Sequence, residues 1–194
     1  MKLPVLAYGH RLLQQKCSAV ENDSPEIRQL IKDMWETMQH ANGCGLAAPQ
    51  VGKALRLFIA DSQILYNQLE EDDHLTLFPE GDQGIRETFI NAHILERSAA
   101  LWEEEEGCLS IPNLYLPVQR PWSVTIEYYN QGFQKQLRTF SGTTARIIQH
   151  EYDHTEGILY PDHLKPLRRK LIEPRLKKIS RGMYPTNYPM KFIH

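Results

Sequence analysis

The pentapeptide HEYDH at residues 150–154 offers two imidazoles and a carboxylate at a spacing that suits metal-assisted hydrolysis. Residues four apart on a helix lie on the same face, so His150 and His154 can bind one cation. Glu151 lies beside them, where a carboxylate can hold and deprotonate a metal-activated water. The pattern predicts a metal-dependent hydrolase. Its alternative is a chance match on a solvated helix that carries two ordinary surface histidines.

A third ligand is required, because catalytic zinc-type sites usually have three protein ligands and one open position. The longer metzincin pattern would place a histidine where this chain has Tyr160. Cys108, in the segment EGCLS, offers a thiolate on a loop beside a predicted strand, although most lone cysteines are small buried residues. The residues alone leave open the choice between Cys108 and the few downstream acids, Glu156, Asp162 and Glu173.

Three helices are predicted from their end signals and their apolar spacing. Ser24 and Pro25 suit the start of a helix that runs to about Ala41. The helix with the two histidines begins near Ser141 or Thr143 and ends at Gly157. A third helix begins near Pro166, and Pro174 is expected to break or kink it.

Short strands make up most of the remaining pattern. Strands are predicted at Leu55–Ala60, near Glu87–Asn91 and near Ile94–Trp102, and Ser123–Phe140 has the form of a hairpin. The acidic stretch Gln68–Gln83 is expected to be a surface excursion. Because strands outnumber helices without alternating with them, we predict an α+β fold. Antiparallel sheets should pack around the central HExxH helix, with one helix N-terminal and one C-terminal to it.

Bulk composition bounds the class of protein. The 194 residues suit one domain, residues 1–194, which ends in a basic helix and short tail at about 165–194. A formal net charge of −2 excludes a strongly basic nucleic-acid binder, so no DNA partner is expected. No apolar run suits a signal peptide or a membrane span, and three cysteines do not form a disulfide framework. We therefore expect a cytoplasmic protein that does not associate with membranes.

Three segments taken together resemble the signature motifs of the peptide deformylases. They are GCGLAAPQ at 43–50, EGCLS at 106–110 and QHEYDH at 149–154, in the order and spacing of that family. The resemblance extends from the opening PVLAYGHRLL to about Leu164. It implies a bacterial hydrolase that removes the N-formyl group from the initiator methionine of nascent polypeptides and releases formate.

The resemblance also implies the metal centre. Cys108, His150 and His154 match the family's metal ligands. Ligand softness alone would suggest zinc. The family instead uses one Fe²⁺ per chain, for which Zn²⁺, Ni²⁺ or Co²⁺ can substitute in preparations. A thiolate on iron in a solvent-open site also suggests sensitivity to oxidation.

Four further positions match residues that act on the substrate in the family. Glu151 matches the catalytic acid/base, and Gln50 matches the side chain that stabilises the developing oxyanion together with the backbone N–H of Leu109. Gly45 matches the glycine whose backbone contacts the substrate near its formyl group. These assignments rest on the resemblance and not on spacing.

Several positions depart from the family pattern or carry no assigned role. Thr155 stands where leucine is common, and Tyr115 stands where some bacterial members have an arginine, while Arg120 is retained. Arg146 could approach the substrate, but a structural ion pair with the acids at 103–106 is the favoured expectation. Asp153 could accept a hydrogen bond from a metal-bound histidine, but a solvated or structural carboxylate is the simpler expectation. The long Gln68–Gln83 stretch and a tail that could add a terminal strand leave the deformylase subclass open.

The C-terminal helix region, residues 165–181, carries eight basic residues and the single acid Glu173. A solvated helix face explains this charge, and the resemblance adds the hypothesis that the helix docks on the ribosome near the exit of nascent chains. Two other functions remain alternatives at this stage. One is an HExxH metalloprotease with a carboxylate or imidazole as third ligand, and the other is a non-catalytic metal- or ribosome-binding module, against which the presence of Glu151 argues.

Overall fold

The computed structural model describes residues 1–193, without the side chains of residues 71–73. His194, the last residue of the predicted tail, lies outside the described residues. The described chain forms five α-helices: α1 (Pro25–His40), α2 (Gln63–Tyr66), α3 (Glu71–Leu77), α4 (Gly142–Glu156) and α5 (Pro166–Ser180). Its strands are β1 (Val5–Leu6), β2 (Gly45–Ala47), β3 (Leu57–Asp61), β4 (Arg86–Arg97), β5 (Leu101–Cys108), β6 (Ile111–Pro121), β7 (Ser123–Tyr129), β8 (Lys135–Ser141) and β9 (Met190–Lys191). Three short 3-10 helices lie at Arg11–Gln14, Ala48–Val51 and Tyr160–His163.

The described strands form three sheets, and α4 packs against the largest of them. The largest has five antiparallel strands in the order β2-β3-β4-β7-β8. β5 and β6 form a separate antiparallel ribbon, and β9 pairs in parallel with β1. α4 packs against β2, β3, β7 and β8. The predicted α+β architecture around a central HExxH helix is therefore confirmed.

Apolar burial explains why α4 occupies the centre. Its Ile148 is fully buried and joins Phe58, Phe89 and Tyr128 of the large sheet in one hydrophobic cluster. Each such side chain contributes roughly 1.5–3 kcal/mol when it is removed from water. Gly157 ends the helix with a φ of 78°, a conformation that glycine adopts without strain. The core therefore fixes the height and rotation of the helix that carries both histidines.

The first helix begins as the sequence predicts. The Ser24 side chain accepts a hydrogen bond from the backbone N–H of Ile27, and Pro25 occupies the first turn. Met34 and Met38 are buried in the second hydrophobic cluster, beneath β2 and β3. α1 thus covers the face of the large sheet that α4 does not.

Several sequence predictions of elements need correction. The strand expected at Leu55–Ala60 is β3, two residues later at its start, and the two strands expected between 87 and 102 divide differently, into β4 and β5. The Gln68–Gln83 stretch includes α3, and its Phe78 is buried against Tyr66. α5 continues through Pro174 without a break. The expected terminal strand is β9.

Among the described helices, none combines the length and the apolar character that a membrane span requires. All three cysteines are unpaired, in agreement with the absence of a disulfide framework in the sequence.

Candidate metal centre and active site

A cysteine and two histidines from distant parts of the chain meet at one point. Cys108 is the last residue of β5, and His150 and His154 lie one turn apart on α4. One ligand atom of each residue lies within 4.8 Å of the others. The sulfur of Cys108 lies 3.3 Å from Nε2 of His154. Within residues 1–193, no other group of three or more His, Cys, Asp and Glu side chains of described position converges in this way.

The ribbon of β5 and β6 places Cys108. Cys108 pairs with Ile111 across the ribbon, so Leu109 and Ser110 form a two-residue turn at its end. Gln50 approaches the same turn from the 3-10 helix after β2, and its Nε2 lies 3.2 Å from Ser110 Oγ and 3.4 Å from Cys108 Sγ. The backbone N–H of Ala47 donates to Oε1 of Gln50 at 2.8 Å and thereby fixes which end of the amide faces the sulfur.

Glu106 orients one of the two imidazoles. Its Oε2 lies 3.0 Å from Nδ1 of His150, which leaves Nε2 of that ring free to bind a cation. Metal-binding histidines commonly donate their second nitrogen to a carboxylate in this way. Arg120 donates to both oxygens of Glu106, at 2.6 and 2.9 Å. The carboxylate is therefore fixed on one side by a guanidinium and on the other by the ring of His150.

Burial alone would raise the pKa of Glu106, but its hydrogen bonds with Arg120 and His150 lower the pKa well below the ordinary value. Arg146 adds a second guanidinium, with a 2.7 Å contact to Oε1 of Glu106. The prediction that Arg146 pairs with the acids at 103–106 is confirmed, and its partner is Glu106. The sequence displays this glutamate within EGCLS but gives no sign of its partners on other elements.

A second carboxylate extends the network away from the metal cluster. Asp153 accepts a hydrogen bond from Nη1 of Arg120 at 2.7 Å and lies 2.7 Å from Nε2 of His163. Arg120 therefore bridges Glu106 and Asp153. Asp153 is a structural carboxylate, one of the roles expected for it, and its side chain makes no hydrogen bond with His150 or His154.

Glu151 is 4 % exposed and has an incomplete set of hydrogen bonds. Among the described residues, no partner lies within hydrogen-bond distance of its Oε2. Burial raises the pKa of Glu151 to about 7. An unpartnered buried carboxyl group is costly to fold, so it is typical of a group that handles protons near neutral pH or binds a ligand.

The imidazoles also suit a cation. Burial lowers the pKa of His154 well below its usual value, and its buried Nδ1 has no partner among the described residues. For His150, burial is opposed by hydrogen bonds with Cys108 and Glu106, which raise its pKa. The sulfur of Cys108 and one nitrogen of each ring lie within 4.8 Å of one another. Such closely spaced sulfur and imidazole ligand atoms fit a divalent cation, whose binding releases protons from its ligands.

A cleft of about 750 Å³ opens onto the cluster. Five of the seven predicted site residues line it: Gly45, Cys108, Leu109, His150 and Glu151. The other two, Gln50 and His154, are each 1 % exposed. Their Nε2 atoms lie 3.4 and 3.3 Å, respectively, from the sulfur of Cys108. The structure therefore brings all seven residues together, while their chemical roles remain predictions.

The structure gives defined contacts for Tyr115 and Thr155, the two positions that depart from the family pattern. The ring of Tyr115 covers Gly107, where a β-carbon would lie only 2.8 Å from Tyr115 Cδ1, and Tyr115 lines the cleft. Thr155 is fully buried and donates to the carbonyl of Tyr152 at 2.7 Å.

Known proteins of one family are similar to this chain over nearly its whole length. The family model described as polypeptide deformylase matches residues 2–170. The peptide deformylase of Christiangramia forsetii is 42% identical over 194 residues, which cover 99% of this chain and 96% of that protein. The peptide deformylase of Flavobacterium johnsoniae is 41% identical over 193 residues, with 99% and 96% covered.

Solved structures agree in fold. The crystal structure of peptide deformylase from Ehrlichia chaffeensis superposes with a TM-score of 0.81 at 29% identity and covers 94% of this chain and 99% of that chain. A second structure of that protein, in complex with actinonin, gives a TM-score of 0.78 at 28% identity, with 91% and 96% covered. The peptide deformylase from Thermotoga maritima gives 0.71 at 30% identity, with 86% and 99% covered.

Proposed function

The chain belongs to the polypeptide deformylase family, and from that premise we propose how seven of its residues perform the reaction. The protein is a metal-dependent hydrolase that removes the N-formyl group from the initiator methionine of newly synthesised polypeptides and releases formate. The position of Glu151 is the main observation that supports the roles proposed for these residues. Its unpartnered, buried carboxyl group lies next to His150 in the chain and lines the same cleft as Cys108.

We assign the metal to Cys108, His150 and His154, and we propose Fe²⁺ as the physiological ion. The convergence of one sulfur and two ring nitrogens within 4.8 Å supports a catalytic metal ion that these three residues would hold. Zn²⁺, Ni²⁺ or Co²⁺ would fit the same donors, because borderline metals accept imidazole and thiolate ligands. When bound, the metal supplies Lewis acidity, which lowers the pKa of water and polarises a carbonyl oxygen.

Glu151 moves the proton in the proposed mechanism. With a pKa raised to about 7 by burial, its carboxylate can accept a proton from the attacking water and then deliver it to the leaving amine near neutral pH. Gly45 lies directly against this side chain, and both residues line the cleft. We propose that the substrate binds along the backbone of β2, which would bring the methionine nitrogen within reach of the acid that protonates it.

Gln50 and the backbone N–H of Leu109 stabilise the developing oxyanion in this proposal. Gln50 approaches the cluster from behind Cys108, and Leu109 is the next residue along the turn. Donors that are fixed before the reaction begins stabilise charge that appears only in the transition state, and one such donor typically changes kcat by about 10²–10³. The bond from Ala47 N–H to Gln50 supplies the necessary fixation of the amide.

α5 supports a further proposal about the partner. Its basic side chains are mostly exposed, and the helix adds little to the core beyond Leu176 and Ile179. We propose that this face contacts the ribosome electrostatically, since clustered lysines and arginines bind nucleic-acid phosphates. We also propose a cytoplasmic location, because nascent formylated chains are made in that compartment.

The direct test is release of formate from formyl-Met-Ala-Ser by the iron-loaded protein, prepared without oxygen. We expect rapid, stoichiometric formate release and no cleavage of an internal peptide bond in acetyl-Met-Ala-Ser. Internal cleavage without formate release would instead support the HExxH protease alternative.

A further inference from the structure

A C-terminal segment that the family motifs do not include forms part of the cleft wall. We call residues 184–191 the C-terminal segment. Four of its residues line the cleft, together with Cys108, Leu109 and Glu151: Pro185, Thr186, Asn187 and Tyr188. From the sequence, the only structural expectation for this part of the chain was a terminal strand.

Hydrogen bonds anchor the C-terminal segment near both of its ends. At its far end β9 pairs with β1, and the N–H of Val5 donates to the carbonyl of Pro189 at 2.9 Å. At its near end Asn113 of β6 donates through Nδ2 to the carbonyl of Pro185 at 3.1 Å. The stretch between these anchors is therefore held at a defined distance from the β5–β6 turn.

Tyr188 makes the contact that matters for the active site. Its hydroxyl donates to the backbone carbonyl of Leu109 at 2.8 Å. Burial raises the pKa of Tyr188 above its ordinary value, so the phenol keeps its proton and remains a donor. The two residues are 79 positions apart in the chain, so the contact is a product of the tertiary fold.

The carbonyl and the N–H of Leu109 belong to different peptides of the turn. The carbonyl lies in the central peptide, between Leu109 and Ser110, and the N–H lies in the preceding peptide, between Cys108 and Leu109. The α-carbon of Leu109 joins the two peptides, so a bond that holds the carbonyl also restrains the residue that carries the N–H. The next carbonyl, that of Ser110, accepts from the N–H of Tyr8 at 2.8 Å.

We propose that Tyr188 is a positioning residue for deformylation. By holding the carbonyl of Leu109, it restrains the α-carbon of that residue and thereby the position of the Leu109 N–H that faces the oxyanion. The inference rests on the proposed oxyanion role of that N–H. It gives the C-terminal segment a part in catalysis that acts through Leu109.

Replacement of Tyr188 by phenylalanine removes only the hydroxyl. We expect kcat for formyl-Met-Ala-Ser to fall about tenfold, the effect of one buried hydrogen bond, with KM unchanged within about twofold. An interaction that acts only in the transition state lowers kcat and kcat/KM together. Iron content should equal that of the wild type, and the melting temperature should fall by about 2–4 °C, the shift that loss of one hydrogen bond implies at this chain length.

Tyr184→Phe is the matched control. It removes the same atom from the same segment, but Tyr184 packs beside Arg175 and does not line the cleft. We expect its kcat and KM to equal those of the wild type. A fall in kcat of similar size in both variants would overturn the proposal, because it would indicate a general effect on the segment.

Failure of the inference and failure of the proposed function give different results. If the wild type releases no formate, the proposed function is wrong. If the wild type is active and Tyr188→Phe keeps a kcat within about twofold of it, only the role of Tyr188 is wrong. A loss that excess Fe²⁺ restores, or a loss confined to KM, would also contradict positioning of the oxyanion donor.

Discussion

The carboxyl side chain of Glu151 lies against the α-carbon of Gly45. A β-carbon built on Gly45 would come within 2.7 Å of Glu151 Cγ, closer than real side chains approach one another. Gly45 lies on β2, and Glu151 lies on α4, which packs across that strand. Glycine is needed at this position because the helix and the strand approach too closely for a larger residue, whatever contact its backbone makes with the substrate.

Gly45→Ala should therefore displace the acid/base group. The β-carbon must push Glu151 aside or shift β2, and either movement misplaces a group whose proton transfer contributes about 10²–10⁴-fold to the rate. We expect kcat to fall by about 10²-fold or more, measured by formate release at saturating substrate. Gly132→Ala is the control, because its nearest neighbour, Asn130 Oδ1, would lie at 3.4 Å. Nearly wild-type kcat in Gly45→Ala would refute the steric argument.

Glu106→Gln should weaken both metal binding and folding. The change leaves the buried guanidiniums of Arg120 and Arg146 without their full counter-charge and weakens the acceptor for Nδ1 of His150. We expect a loss of about 10–100-fold in metal affinity and of about 3–5 kcal/mol in the free energy of unfolding. Competition with a chelator and urea unfolding measure the two effects.

The neighbouring glutamate provides the control for that experiment. The side chain of Glu104 is exposed, and its backbone carbonyl, which Arg146 contacts, is unchanged in Glu104→Gln. This variant should keep its metal affinity and lose less than about 0.5 kcal/mol of stability. Equal losses in both variants would show that Glu106 has no special role.

Thiol labelling should distinguish Cys108 from the other two cysteines. Burial raises the pKa of Cys17 to about 11 and that of Cys44 to about 12, so both form little thiolate at pH 8. In metal-free protein we expect one rapidly labelled thiol, which is absent in Cys108→Ser. Saturating Fe²⁺ or Zn²⁺ should suppress that reaction, and unchanged labelling in the presence of metal would argue against Cys108 as a ligand.

The ribosome proposal is best tested by charge reversal. Truncation after residue 162 would also remove β9 and Tyr188, so its effect on the active site would confuse the result. Conversion of Lys170, Lys178 and Arg181 to glutamate should weaken cosedimentation with ribosomes about tenfold or more at low salt. A control with the same change in net charge reverses Arg11, Lys32 and Lys53. Equal binding by wild type and the α5 variant would exclude this helix as the contact.

Local signals in the sequence were sufficient for much of the fold. Ser24 and Pro25 mark the start of α1, and Gly157 marks the end of α4, because caps are decided by the residues at the helix end. The hairpin of β7 and β8 follows from alternation around a short turn. These features depend on neighbours within a few residues, which a single sequence displays directly.

β6 shows where local signals fail. Ile111–Pro121 contains prolines at 112, 117 and 121, which argue against a strand because proline cannot donate to a ladder. The strand is tolerated because β5 is its one partner among the described strands, so its other edge carries no ladder bonds within that part of the chain. The positions of prolines relative to a free edge become visible only when the pairing is known.

The residues of the candidate site also fall into two groups, those that the sequence predicts and those that it does not. The motif residues were predicted because their family pattern is contained in three short segments. Glu106 and Tyr188 were given no role because their partners, His150 and Leu109, are 44 and 79 residues away. Contacts of that length depend on how the β5–β6 ribbon lies over α4 and on where the chain returns after α5.

The central claim is that Glu151 transfers the proton at a metal held by Cys108, His150 and His154. The most direct measurement is single-turnover formate release by iron-loaded Glu151→Gln, with iron content determined on the same sample. We predict full iron occupancy and a rate reduced by about 10²–10⁴-fold, since glutamine keeps the shape of the side chain but cannot accept a proton. Wild-type rates from the fully loaded variant would contradict this mechanism.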